Sequence, residues 1–145
     1  MSTGILGYGV YLPLYRVKKE EIGKAWDTGG RGELAVPGPD EDVITMVAEA
    51  GQNALAQAGV AGPDVDAIYL ASNSTPYLEH VSTSVIADVI QCGPELEVAE
   101  FARTTGAGLA AWKAASDAVA AGRKKHVLLL ASDCRPAGAG SDMEM

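Results

Sequence analysis

The sequence predicts an α/β layered domain with a largely parallel sheet, and three observations carry that prediction. Ala67–Ala71 and His126–Ala131 are short, unbroken apolar runs, the pattern of strands covered on both faces. The stretches before and between them repeat their apolar residues at helical spacing. Taken in order, the chain reads strand, helix, strand, helix, strand, helix, strand, and such alternation implies parallel strands joined by crossover helices.

Gly4 to Leu12 reads as a glycine-rich buried strand that Pro13 ends, because proline removes a ladder donor. Residues 16–26 carry Arg16, Lys18, Lys19, Glu20 and Glu21 ahead of Ile22 and Trp26, the pattern of a short amphipathic surface helix. Residues 27–40 form a Gly/Pro-rich loop. Asp40 or Asp42 then caps a helix whose face is Val43, Ile44, Val47, Ala50, Ala54, Leu55 and Ala58, with Gly59 closing it. After the Ala67–Ala71 strand comes a helix from Ser82 to Cys92, with Val85, Ile86, Val89 and Ile90 on its apolar side. Glu97 to Ala102 is a weaker strand, Gly106 to Ala121 a helix, and the His126–Ala131 strand ends at Ser132-Asp133. The tail, residues 136–145, has no strand pattern of its own. With no internal repeat, residues 1–145 read as a single domain.

Composition excludes several function classes. Hydrophobic residues make up 48% of the chain, enough for a core, and Ala, Val, Ile and Leu must build it because aromatics are few. A formal charge of -8 with no basic stripe argues against nucleic-acid binding. Apolar runs stop well short of the ~20 residues a membrane helix needs. The start, Met1-Ser2-Thr3-Gly4, lacks the charged and then hydrophobic regions of a signal peptide. Cys92 and Cys134, the only cysteines, have no CxxC spacing, which fits a reducing cytoplasm and no structural metal.

The Gly106–Ala121 helix lacks a solvent face. After its first turn the polar residues are Lys113, Ser116 and Asp117, and Lys113 and Asp117, four apart, share one narrow stripe. A helix apolar nearly all round is a buried one. Gly106 and Gly108 each cost ~1 kcal/mol of helix propensity relative to Ala, tolerable where two backbones approach closely. One sheet in a chain of this length supplies one covering layer. A second layer then calls for a partner or self-association, through Gly106, Gly108, Leu109 and Trp112.

Four segments carry a family resemblance: Gly4-Ile5-Leu6-Gly7-Tyr8-Gly9-Val10-Tyr11-Leu12-Pro13, Val36-Pro37-Gly38-Pro39-Asp40-Glu41-Asp42, Ser72-Asn73-Ser74-Thr75-Pro76-Tyr77 and Phe101-Ala102-Arg103-Thr104-Thr105-Gly106. In order and in register, from about residue 4 to residue 145, they resemble the first half of archaeal-type 3-hydroxy-3-methylglutaryl-CoA synthases, of the thiolase superfamily. The resemblance implies half of a thiolase-like fold, a mixed, largely parallel sheet with helices on both faces, in which the helix after the nucleophile lies at the centre of five layers.

The resemblance also implies a chemistry. In that family a cysteine thiolate at a helix N-terminus, where the helix end lowers its pKa, takes an acyl group from acyl-CoA. A glutamate serves as acid and base for carbon–carbon bond formation, and a histidine from the second half helps hold the thioester oxygen. The cysteine position matches Arg103, whose guanidinium is permanently charged and no nucleophile. The glutamate position matches Asn73, whose amide cannot shuttle protons. The histidine falls outside the matched half. A cation at a helix N-terminus opposes the macrodipole, which points to an anionic neighbour for Arg103, either Glu100 or a partner residue.

The remaining candidates are weaker. Cys134 follows the last strand and is a conceivable substitute nucleophile without an evident His base, while Cys92 reads as core. Glu79-His80 pairs an acid with an imidazole, but adjacent residues usually diverge, so a solvated loop fits better. Gly4-x-x-Gly7-x-Gly9 imitates a dinucleotide loop, yet its glycines lie within the expected strand and no helix follows promptly.

The expectation is a non-catalytic thiolase-fold subunit that assembles with another thiolase-fold chain or a copy of itself. By resemblance, a small zinc-ribbon and OB-fold protein is a further partner, and a coenzyme A thioester belongs to such a complex rather than to this chain alone. Two alternatives stand beside it. One is half of a split condensing enzyme whose catalytic cysteine lies on another chain. The other is a standalone small-ligand binder, which predicts a stable monomer and is disfavoured by the apolar helix.

Overall fold

A computed structural model describes residues 3–77 and 79–138. Its elements are β1 (Tyr15–Lys18), α1 (Lys19–Ala25), β2 (Glu33–Val36), α2 (Val43–Ala58), a 3-10 turn at Gly62–Asp64, β3 (Ala67–Ala71), α3 (Ser82–Ile90), β4 (Glu97–Phe101), α4 (Ala107–Ala120) and β5 (Val127–Ala131). β3 is the centre of a parallel sheet of order β4-β3-β5, in a register that sets Ala67 beside both Glu97 and Val127.

β3 is buried at all five positions because both of its faces are covered. Ile68 and Leu70 point to one side, where Val43, Ile44 and Val47 of α2, Ile86 and Ile90 of α3, and Leu128 and Leu130 of β5 close a core. Ala67, Tyr69 and Ala71 point to the other and meet Ala107 and Ala111 of α4. The sheet is therefore sandwiched as predicted, with α2 and α3 on one face and α4 on the other. Asp66 fixes where β5 enters: its carboxylate accepts the His126 and Lys125 N–H groups at 2.9 and 2.6 Å. Those two bonds, His126 foremost, hold its pKa below the usual carboxylate value.

The helix signals are met where local chemistry is explicit. Of the two possible caps for α2, Asp42 is the one used. Its carboxylate accepts Thr45 N–H at 2.9 Å while Thr45 Oγ1 accepts Asp42 N–H at 2.8 Å, a reciprocal capping box. Gly59 ends α2 at φ +66, a left-handed position that glycine takes without a Cβ penalty. α3 stops at Ile90, two residues before the expected Cys92.

Three expectations are corrected. Residues 16–26 are not one helix, since Arg16, Val17 and Lys18 belong to β1 and α1 starts at Lys19. The 27–40 segment is not wholly loop, because Glu33–Val36 pairs antiparallel with β1, Tyr15 opposite Val36 and Lys18 opposite Glu33. The flanking Gly and Pro residues hid this four-residue strand.

The third correction concerns Gly4 to Leu12. The segment joins no sheet among the described residues, and Ile5, Leu6, Tyr8, Val10 and Leu12 are exposed rather than buried. It lies instead along α2. A Cβ on Gly9 would stand 2.3 Å from the Ala50 carbonyl oxygen, and one on Gly7 2.9 Å from that of Ala54, so the two backbones touch. Gln57 accepts the Tyr8 N–H at 2.6 Å, and the Tyr11 hydroxyl donates to Glu41. The glycines serve close approach to a helix, not ladder pairing. Of the expected tail, residues 139–145 lie outside the described residues.

Candidate functional site

The C-terminal ends of β3, β4 and β5 converge on one edge of the sheet, the edge where open parallel sheets carry their sites. The strands give way to polar residues there: Ser72-Asn73-Ser74 directly after β3, Arg103-Thr104-Thr105 one residue after β4, Ser132-Asp133 directly after β5. The three strand ends border an open depression of about 300 Å³, walled in part by Ser72, Asn73, Thr104, Thr105, Gly108 and Asp133.

Asn73 is the tie between the first two strand ends. Its Oδ1 accepts the Thr104 N–H at 3.1 Å, and its Nδ2 donates to the Thr104 carbonyl at 3.2 Å. Asp133 ties the third. Its Oδ1 accepts the Asn73 N–H at 2.7 Å, the Ser74 hydroxyl at 2.9 Å and the Ser72 hydroxyl at 3.3 Å. Ser74 Oγ in turn accepts the Cys134 N–H at 2.7 Å. Partial burial works to raise the Asp133 pKa. The Asn73 N–H, the Ser74 hydroxyl, nearby Arg135 and the Ser72 hydroxyl outweigh it, and the group stays below its usual value.

Arg103 occupies the bend between β4 and α4 with φ +62, a left-handed conformation that a non-glycine residue adopts at a cost of roughly 1–2 kcal/mol. The bend turns the chain from strand to helix and leaves the Arg103 side chain exposed beside the depression. Glu100 is not its anionic neighbour. The Glu100 carboxylate instead accepts the Thr83 N–H at 3.0 Å, at the start of α3. Among the described residues Arg103 has no ion pair.

The structure separates the other candidates from this edge. Cys134 packs its side chain against the α2–α3 core, as Cys92 does. Burial pushes the Cys134 thiol up, and the charges of Asp42 and Glu41 push it further the same way, opposite to what a nucleophile requires. Burial alone raises Cys92. His80 stacks edge-on against Tyr77 with ring centres 5.4 Å apart, in the exposed loop ahead of α3. Gly7 and Gly9 lie against α2 and, with Gly4, precede no helix N-terminus that could hold a phosphate. Among the described residues no three His, Cys, Asp or Glu side chains gather to hold a metal. Among the described residues the site thus presents hydroxyls, an amide, a guanidinium beside it and the Asp133 carboxylate, and neither a thiolate nor an imidazole. The sequence reading singled out Arg103 and Asn73 but missed Asp133, Ser72, Ser74 and Thr104. The detectable signal for Ser72, Ser74 and Asp133 was polar residues following the fully apolar strands β3 and β5.

α4 starts at this site. Ala107, Ala111 and Ala118 are buried against the sheet. Its other side is open: Leu109 is 81% and Trp112 50% exposed, Gly108 is exposed, and a Cβ on Gly108 would meet nothing within 4 Å. Gly106 is half-buried. The Lys113–Asp117 pair at 2.9 Å is the narrow polar stripe that the sequence predicts. Within this chain, then, the helix has one covering layer and an uncovered apolar side.

No family model matches the chain. In sequence it is 41% identical over 145 residues to the hydroxymethylglutaryl-CoA synthase of Pyrococcus horikoshii, covering 99% of this chain and 41% of that protein. It is 37% identical over 150 residues to that of Methanosphaera stadtmanae, covering 98% and 43%. The chain therefore spans about two fifths of the length of the relatives it matches. In structure it resembles the priming β-ketosynthase of the R1128 polyketide pathway, with TM-score 0.80 and 23% identity over 89% of this chain and 41% of that one. It also resembles 3-oxoacyl-[acyl-carrier-protein] synthase III from Aquifex aeolicus, with TM-score 0.82 and 20% identity over 92% and 45%. At these identities the structural likeness establishes the fold, which is thiolase-like. No helix among the described residues is long and apolar enough to cross a membrane.

Proposed function

We propose, from the premise that this chain is a hydroxymethylglutaryl-CoA synthase-like protein carrying about two fifths of such a protein on a thiolase-like fold, that it acts as a non-catalytic subunit of an acyl-CoA-handling complex. The observation that carries the reading is the make-up of the strand-end site. A left-handed Arg103 heads α4, and the Asn73 amide is spent on the Thr104 backbone. Covalent acyl transfer of the thiolate kind needs an activated thiol, and neither the Arg103 guanidinium nor the Asn73 amide supplies one or a proton-accepting base.

The uncovered side of α4 supports the assembly half of the proposal. Leu109 and Trp112 beside an exposed Gly108 form an apolar surface suited to close packing by a second thiolase-like layer. In this reading a thiolase-fold chain is the principal partner and a zinc-ribbon, OB-fold protein a further one. The acyl-CoA thioester is held by the assembly, and the compartment is the cytoplasm. The test has two arms. Incubating the purified chain with radiolabelled acetyl-CoA is expected to leave it unlabelled, and an acyl adduct on Cys134 would overturn the non-catalytic reading. Sedimentation of the chain alone is expected to show self-association or instability, and a stable, monodisperse monomer would overturn the assembly reading.

One observation favours a second reading, half of a split condensing enzyme. The strand-end network around Asp133 and Asn73 is fully hydrogen-bonded and its depression stays open, as a chain completing an active site would need. Acyl labelling of a cysteine on a co-purifying chain, dependent on this one, would select it.

A further inference from the structure

A second cavity, of about 270 Å³, is lined by Tyr69, Glu97, Ala118, Arg123 and Lys124. It lies on the α4 side of the sheet, toward the end where the strands begin, and shares no residue with the strand-end depression. Its walls come from separated parts of the sequence. Tyr69 sits midway along β3, on the face that α4 covers, with its ring tilted against Phe101 at 5.8 Å. Glu97 opens β4, and Ala118 belongs to the last turn of α4. Arg123 and Lys124 lie in the turn that leads from α4 into β5.

That turn is pinned by backbone bonds. Gly122 takes φ +71, a conformation that glycine adopts freely, and sends the chain back toward the sheet. The Arg123 and Lys124 N–H groups both donate to the Ala118 carbonyl, at 3.1 and 3.3 Å. The Asp66 carboxylate fixes the next two amides, those of Lys125 and His126. Arg123 is thus presented to the cavity by a fixed backbone.

The charges in the cavity do not balance. Both oxygens of Glu97 are taken: Oε1 accepts the Tyr69 hydroxyl at 2.7 Å, and Oε2 meets the Lys124 ammonium at 3.1 Å. Lys124, with its side chain only 18% exposed, also donates to the Asp66 carbonyl at 3.3 Å. These side chains form a neutral unit, and Arg123 stands outside it. Among the described residues the Arg123 guanidinium, which has five N–H donors, makes no ion pair and no hydrogen bond. Its charge nevertheless reaches the unit. The Tyr69 hydroxyl and Lys124 hold the Glu97 pKa down, and Arg123 adds to them. Burial and then Glu97 push the Tyr69 hydroxyl up, with Arg123 acting against them.

We propose that this cavity binds a small organic monocarboxylate, its carboxylate paired with Arg123 and its short apolar body resting on the Tyr69 ring and the Ala118 methyl group. Guanidinium and carboxylate match as a two-bond fork. The one uncompensated positive charge sets the ligand's charge at one, because a dianion would hold its second charge against Glu97. The volume falls just below the roughly 300–1,000 Å³ of sites for drug-sized molecules, which favours a small ligand. The site is independent of the proposed assembly role, and neither claim needs the other.

The probe is sodium butyrate at constant ionic strength, with n-butanol as its uncharged counterpart and acetate and inorganic phosphate as competitors. Ligand-observed saturation-transfer NMR on the full chain reads binding and tolerates self-association. Saturable transfer to butyrate is expected, displaced by acetate and little affected by equal phosphate, with n-butanol about tenfold weaker. Arg123→Gln should weaken butyrate binding by about tenfold or more. Lys125→Gln, which removes the neighbouring cation that does not line the cavity, should leave binding unchanged. Both positions are exposed, so thermal melts of the two variants should match the parent. Binding that falls equally in both variants, or that phosphate displaces as well as acetate does, would reveal only general attraction to the basic turn and overturn the proposal. Equal binding of n-butanol, or no saturable transfer to butyrate, would overturn it too.

Discussion

Asn73 and Thr104 hold each other through two hydrogen bonds, the amide oxygen accepting from the Thr104 N–H and the amide nitrogen donating to its carbonyl. The pair locks the loop after β3 to the residue that follows the left-handed Arg103. It needs a side chain that donates and accepts at once, which an amide does and a carboxylate does not. The residue type at position 73 therefore has a positive structural reason.

Asn73→Asp is expected to destabilise the chain by about 1–2 kcal/mol, because the second carboxylate oxygen would face the Thr104 carbonyl without a proton to share. Urea denaturation checks it. Asn73→Ala should cost a similar amount, by leaving the same two backbone groups short of partners.

Asp133 makes stability acid-sensitive. Its folded pKa lies below the unfolded one, so its contribution is present above the ordinary carboxyl range near about pH 4 and is lost as pH falls through the folded value. Asp133→Asn should therefore be less stable than the parent at pH 7, by about 1–2 kcal/mol given the partial exposure of the group. The gap should close below about pH 4. Parallel urea titrations at pH 7 and pH 3 measure the difference.

The φ of +62 at Arg103 predicts opposite effects for two substitutions. Arg103→Gly should be neutral or stabilising by up to about 1 kcal/mol, since glycine takes this conformation freely. Arg103→Val should destabilise by about 1–2 kcal/mol, because a β-branched residue is a true outlier there. Thermal melts rank the three. Arg103→Cys alone should not take up label from acetyl-CoA, since no imidazole accompanies it among the described residues and the Asp133 carboxylate is held by Asn73, Ser72 and Ser74.

Leu109→Lys and Trp112→Glu test the open side of α4. Both side chains are largely solvated in this chain, so each change should shift stability by no more than about 0.5 kcal/mol. Association with a thiolase-fold partner should nevertheless be lost, as light scattering or co-purification would report.

Gly9→Ala tests the contact between residues 4–12 and α2. A methyl group there would stand 2.3 Å from the Ala50 carbonyl oxygen and 2.4 Å from the Ala54 nitrogen, both backbone atoms that cannot move aside. The expected loss is about 1–3 kcal/mol or detachment of residues 4–12 from α2, visible as increased proteolysis of the N-terminal segment.

The sequence by itself determined the elements whose signals are local. The unbroken apolar runs of β3 and β5, the apolar face of α2 with Gly59 closing it and the small apolar helix α4 were all legible, while the cap of α2 was narrowed to Asp40 or Asp42, because propensity, capping and face periodicity lie within a few neighbouring residues. Only the tertiary structure decided what long-range pairing controls. An apolar glycine-rich run at 4–12 reads the same whether a strand or a helix lies beside it, and the contact with α2 is made by residues more than forty positions away. β1 and β2 exist because each supplies the other's hydrogen bonds across the 19–32 stretch. Asp133 becomes the clip of the site because parallel strands bring residues sixty apart to one edge. The same packing leaves one side of α4 uncovered, so a helix that reads as buried is, in this chain, half a contact.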